Sequence, residues 1–129
     1  MSPPAVRVLV VDDEIDFASA LTARLSNRGF DAHFVSSGED ALQTLPESPC
    51  DVVVLDLKMP GMGGLEALRR IRSGYPDIKI IVLTGHGQVD SGIEGMRAGA
   101  ADYLLKPVAI ETLCTAIEAA VERGRDAGG

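Results

Sequence analysis

Five short runs of apolar and β-branched residues alternate with five stretches of helical periodicity, and few architectures accommodate that pattern. The runs fall at residues 7–11, 31–35, 52–55, 78–83 and 101–105. Val52-Val53-Val54-Leu55 is apolar throughout, as a strand buried on both faces reads. Asp31-Ala32-His33-Phe34-Val35 is mixed and suits a sheet edge, with His33 expected in solvent. Between the runs, Phe17, Leu21 and Leu25 recur every fourth residue, with Ile15 and Ala18 beside them. Ser36 and Ser37 offer an N-cap to a helix carrying Ala41, Leu42 and Leu45, which Pro46 and Pro49 stop. Leu65, Leu68 and Ile71 mark a third helix, and Val89, Ile93 and Met96 a fourth. Ile110, Leu113, Ile117, Ala120 and Val121 mark the last. Gly29 and Gly99 stand just past helices, where glycine ends them. Gly92 and Gly95 interrupt the fourth helix. Each disfavours it by about 0.5–1 kcal/mol relative to Ala, so this helix is expected to be the least stable.

Strands alternating with helices predict an α/β protein: a (βα)5, doubly wound, five-stranded parallel sheet with right-handed crossovers. Such sheets bind ligands outside the carboxyl ends of their strands. There the chain places polar groups: Asp12 and Asp13 after the first strand, Asp56 after the third, Thr84 after the fourth and Lys106 after the fifth.

The 129 residues suffice for one domain, and with 46% hydrophobic but only 4% aromatic residues and no Trp, its core is aliphatic. A net charge of −7 argues against direct nucleic-acid binding, which needs a basic face. Cys50 and Cys114 form no metal-ligand or redox spacing and read as reduced thiols. Cys114 falls on an apolar helix face. Cys50, beside Pro49 in a loop, leaves reactivity open. No apolar run approaches the ~20 residues of a membrane span. Met1-Ser2-Pro3-Pro4 lacks the charged and apolar regions of a signal peptide.

Three carboxylates in one pocket repel and raise one another's proton affinity. A hard divalent cation relieves that conflict, and Mg²⁺ takes a few oxygen ligands, waters and a phosphate. Lys106 adds a positive charge and Thr84 a hydroxyl donor, groups that stabilise charge on a transferring phosphoryl group. Asp56, central among them, is the expected nucleophile, giving an acyl phosphate.

Asp12-Asp13, Asp56 in Leu-Asp-Leu-Lys-Met-Pro-Gly, Thr84 in Leu-Thr-Gly-His-Gly, and Lys106-Pro107 after Asp-Tyr-Leu-Leu resemble the receiver domain of two-component response regulators. The likeness covers residues 6–123, leaving 1–5 as a disordered arm and 124–129 as a flexible tail or the start of a linker. It implies a flavodoxin-like strand order 2-1-3-4-5. It implies that Asp56 accepts a phosphoryl group from a sensor histidine kinase or phosphotransfer protein. Asp12, Asp13, Asp56 and the main-chain carbonyl of Lys58 would hold Mg²⁺ or Mn²⁺. Lys106 would bridge to the acyl phosphate, the Lys106–Pro107 bond would be cis, and Thr84 and Tyr103 would form the switch. The remaining partners implied are an output protein or domain, or a second copy of the phosphorylated chain, in the cytoplasm and away from membranes.

Plainer roles stand beside these. Asp12 and Asp13 would also suit the start of the first helix. Thr84 would serve as a strand-end hydroxyl, Lys106 as a surface lysine, and Tyr103 as a core aromatic. His86 reads as a surface loop residue or one flanking the site, and Met59 and Met62 as turn-packing residues. Two other functions compete with a non-enzymatic signalling switch. One is a Mg²⁺-dependent aspartyl-phosphate phosphohydrolase, but haloacid dehalogenase-like phosphatases need an Asp where Lys58 stands. The other is a phosphorylation-independent scaffold of the same fold.

Overall fold

The parallel sheet and its order follow the alternation read above. In the computed structural model, which describes residues 5–85 and 89–128, the strands are β1 (Arg7–Val11), β2 (Asp31–Val35), β3 (Val52–Leu55), β4 (Lys79–Thr84) and β5 (Asp102–Leu105). All neighbours pair in parallel, in the order β2-β1-β3-β4-β5, with β2 at an edge. The helices are α1 (Ile15–Asn27), α2 (Gly38–Thr44), α3 (Gly64–Gly74), α4 (Val89–Arg97) and α5 (Ile110–Gly128). His86, and residues 1–4 of the expected N-terminal arm, lie outside the described residues.

Side chains alternate across each strand, so the sheet divides the core in two. Val8, Val10, Val52, Val54, Ile81 and Leu83 face α1 and α5, packing on Leu21, Leu25, Leu113 and Ile117. Leu9, Val11, Val53, Leu55, Ile80 and Val82 face Leu45, Leu68 and Ile71 of the opposite layer. The N-cap expected at α2 forms: Ser37 Oγ accepts from the Asp40 N–H at 3.0 Å. Among the described residues no helix is long and apolar enough to cross a membrane.

Two local expectations need correction, and one open point gains an answer. Ile93 and Met96 mark α4 by their spacing, yet both are 41% exposed. The buried face of α4 is instead Gly92 and Gly95, which lie against Tyr103 and Val82. Glycine permits that close approach because it has no Cβ. Second, residues 124–128 do not form a tail apart from the last helix. α5 runs through Gly124 to Gly128, because a lone glycine lowers helix stability by only about 1 kcal/mol and strong helix formers flank it. Cys50, whose reactivity the sequence leaves open, is half-buried. Burial, and then the charge of Asp51, push its thiol up to about 11, far from the thiolate range.

The two kinds of apolar position differ in stability. Ile117→Ala empties a fully buried site between α5 and the sheet and should cost roughly 2–5 kcal/mol in urea denaturation. Ile93→Ala, on the exposed face of α4, should change stability by less than about 0.5 kcal/mol.

Candidate functional site

The backbone at the carboxyl rim is fixed before any side chain is considered. The Asp12 N–H donates to Val35 O at 3.2 Å and the Asp56 N–H to Val11 O at 3.0 Å, extending the ladder beyond the strands. The Gly64 N–H closes the loop after β3 by donating to Leu57 O at 3.0 Å. A Cβ at Gly64 would collide with the backbone of Asp56 and Leu57, so α3 starts directly on the segment that carries Asp56.

On this frame Asp12 (2% exposed) and Asp56 (6% exposed) are buried, and Asp13 is exposed. One carboxylate oxygen from each lies within 4.8 Å of the other two. Lys106 reaches in from the end of β5. Its Nζ stands 2.7 Å from Asp12 Oδ2, 3.2 Å from Glu14 Oε1 and 3.6 Å from Asp56 Oδ2. The peptide bond Lys106–Pro107 is cis, and the Lys106 N–H donates to Thr84 O at 2.7 Å.

The electrostatics follow from this crowding. Burial pushes the Asp56 carboxyl above its ordinary value. The N–H of Lys58, donating to Oδ1 at 3.0 Å, and the Lys106 ammonium pull it back, while Asp12 and Asp13 push it further up. Burial disfavours the charged form of Lys106, but the hydrogen bond to Asp12 and the charges of Asp56 and Asp12 outweigh this and raise its pKa. Three clustered acids and one strongly held cation leave net negative charge at the rim. This hard-oxygen set fits Mg²⁺ or Mn²⁺, with the acids as direct or water-bridged ligands.

Asp12, Asp13, Asp56 and Lys106 thus converge. The Lys58 side chain is exposed while its N–H turns to Asp56. Thr84 is fully buried, and its Oγ1 is the one buried side-chain polar atom without a partner among the described residues. It continues the Ile80 and Val82 side of β4, the face on which half-buried Tyr103 packs. His33 pairs with Asp31 at 3.0 Å on the exposed edge, away from the site. Met59 is buried and Met62 packs against the same layer.

Two residues at the site escaped the sequence reading. Glu14 supplies a third carboxylate to Lys106, and its place directly after Asp12-Asp13 was the available signal. The ring of Phe17 lies 4.4 Å beneath Lys106 Nζ, a cation–π contact. Its helical spacing marked it only as a packing residue.

Because ionised Asp56 is penalised in the folded state, removing its charge should stabilise the fold. Lys106 keeps Asp12 and Glu14 as partners in that variant. Asp56→Asn should therefore raise Tm at pH 7. The folded pKa lies above the unfolded one, so the penalty exists only where Asp56 ionises. The gain should therefore fade as pH falls through the carboxylate range, which thermal melts between pH 7 and pH 3 would show.

The family model for the response regulator receiver domain matches residues 8–118. The response regulator MprA of Mycolicibacterium vanbaalenii is 40% identical over 118 residues, 92% of this chain and 51% of that protein. The luminescence regulatory protein LuxO of Vibrio campbellii is 32% identical over 114 residues, 88% of this chain and 25% of that protein. The chain therefore spans between a quarter and half the length of these relatives. A receiver domain protein from Clostridium thermocellum superposes with a TM-score of 0.88 at 36% identity, covering 93% of this chain and 97% of that one. NtrX from Brucella abortus superposes with a TM-score of 0.89 at 28% identity, covering 95% of this chain and 28% of that one. Fold and sequence agree: this chain belongs to the response regulator receiver domain family of two-component signalling systems.

Proposed function

We propose that the domain is a phosphorylation switch whose acceptor is Asp56. The observation that carries this reading is the placement of the Asp56 carboxylate. It is buried at the strand rim, 3.6 Å from the Lys106 ammonium, with Asp12 and Asp13 grouped around it. A carboxylate oxygen of Asp56 attacks the phosphorus of a partner's phosphohistidine as the P–N bond breaks; the bond pair stays on the ring nitrogen, and the ring leaves as neutral imidazole with the proton already carried on its other nitrogen. Lys106 turns from its carboxylate partners to a phosphoryl oxygen, for which its firmly held charge suits it. Thr84, a buried hydroxyl in need of an acceptor, donates to another. Asp12, Asp13, Asp56 and the Lys58 carbonyl would hold Mg²⁺ or Mn²⁺, whose contribution is to neutralise charge shared by the carboxylates and the phosphoryl oxygens.

The added charge then acts on a two-state element. Thr84 moves toward the phosphoryl group, Tyr103 on the same face follows, and α4 with its glycine-built inner surface adjusts. The exposed Ile93 and Met96 lie on the surface that changes, formed by α4, β5 and α5. Its users would be an output protein or domain, or a second copy of the chain, in the cytoplasm. The domain has no small-molecule substrate in this reading. Position 58 holds an exposed lysine, not the acid–base carboxylate that a haloacid dehalogenase-like phosphohydrolase needs.

Incubation with acetyl phosphate and Mg²⁺ should add one acid-labile phosphoryl group, detected by intact-mass spectrometry. Asp56→Asn should abolish it, and a label that persisted there would move the acceptor elsewhere. Chelation by EDTA should suppress labelling, and added Mg²⁺ should restore it. Lys106→Ala should slow labelling by at least about tenfold, since one charge-stabilising donor at a reacting centre is worth that or more.

A further inference from the structure

We infer that Gly92 is a positioning residue: it forms the seat in α4 on which the Tyr103 ring rests, and through that ring it sets how readily the domain switches. The contact is unusually close. A Cβ built at Gly92 would stand 2.5 Å from Tyr103 Cδ2, 2.6 Å from Cε2 and 3.1 Å from Cγ. These atoms belong to the body of a rigid ring, not to the end of a flexible chain. Gly92 is buried and Tyr103 half-buried.

Backbone freedom does not explain this glycine. The glycines that need a positive φ are Gly29, Gly61, Gly63 and Gly99, and Gly92 is not among them. Its backbone is that of a helix interior, a place where alanine is favoured. What glycine supplies here is space. One turn further on, Gly95 does the same less severely, its Cβ site lying 3.1 Å from Val82 Cγ2 and 3.4 Å from Leu57 Cδ1. Val82 is the register partner of Tyr103 and lies two residues before Thr84 on the same face of β4. Leu57 directly follows Asp56. The glycine face of α4 therefore touches the ring at one end and the neighbours of the rim residues at the other. A side chain at position 92 must either lift α4 or displace the ring, and either change alters one conformation of the element more than the other. That difference is what shifts a two-state equilibrium.

The inference rests on Asp56 as phosphoacceptor for its functional half, while the ring seat stands on geometry alone. The test uses the full chain with Tyr75→Phe, which leaves Tyr103 as the sole tyrosine in a protein without Trp, so intrinsic fluorescence reports its ring. Beryllofluoride with Mg²⁺ is the probe, titrated against backbone amide NMR shifts. Gly92→Ala should change Tyr103 fluorescence and shift the apparent beryllofluoride affinity by about fivefold or more, the lower end of allosteric couplings. Tyr103→Ala removes all three atoms that the new methyl group would meet. In that background Gly92→Ala should alter affinity by less than about twofold and raise Tm, as an unhindered glycine-to-alanine change in a helix does.

Unchanged fluorescence and affinity in Gly92→Ala would overturn the inference, as would a shift that persists undiminished without the ring. Should Gly92→Ala fail to fold, recovery of folding by Tyr103→Ala supports the seat and continued failure refutes it. Absence of beryllofluoride binding in the parent chain refutes the reading of the Asp56 rim and leaves the fluorescence result to judge the seat.

Discussion

Negative charge that the fold itself concentrates governs this molecule. Two strand ends, those of β1 and β3, deliver Asp12, Asp13 and Asp56 to one rim; Asp12 and Asp56 are buried, and water can solvate the cluster only in part. A single ammonium, that of Lys106, lies among them, 2.7 Å from Asp12 and 3.6 Å from Asp56. It offsets one charge and leaves the cluster anionic. Burial of this kind lowers stability wherever the charges are not fully paired. A carboxylate kept short of solvent and beside other acids would gain from any added positive charge at the rim, which is what the proposed divalent ion would supply.

The rim is sharp because the fold leaves it little freedom. Parallel strands end together on one edge, and period-two alternation decides which face each terminal side chain takes. The ladder continues past the strands through the N–H groups of Asp12 and Asp56, and α3 begins against the backbone at Leu57. Phe17 and Glu14, both from the start of α1, hold Lys106 from the other side. The rim groups come from four segments far apart in sequence, yet each is carried at the end of a strand.

Much of this was legible in the order of residues, for identifiable reasons. Continuous runs such as Val52–Leu55 show strands buried on both faces, and a polar residue at the end of such a run shows where the rim lies. Patterns of apolar residues do not show which face of a helix is buried when that face has no side chains. Ile93 and Met96 carried the periodic signal in α4 while Gly92 and Gly95 met the sheet. Hydropathy assigns glycine little weight, and only the position of Tyr103 reveals why it is needed. Gly124 misled in the opposite sense, since a glycine that ends one helix can be absorbed by another with strong formers on both sides. Phe17 and Glu14 had ordinary local explanations, and their service to Lys106 is a long-range contact that no local pattern encodes.

The division of the core by the sheet gives the two layers unequal duties. Large interlocking side chains of α1 and α5, among them Leu25, Leu113 and Ile117, grip one side. On the other, α4 rests partly on bare backbone. A close-packed layer resists sliding, because each side chain would have to leave its socket, whereas a smooth surface slides at small cost. The α1–α5 layer is in this sense the anvil of the molecule, while α4, across the sheet, brings no side chain to its contacts at positions 92 and 95.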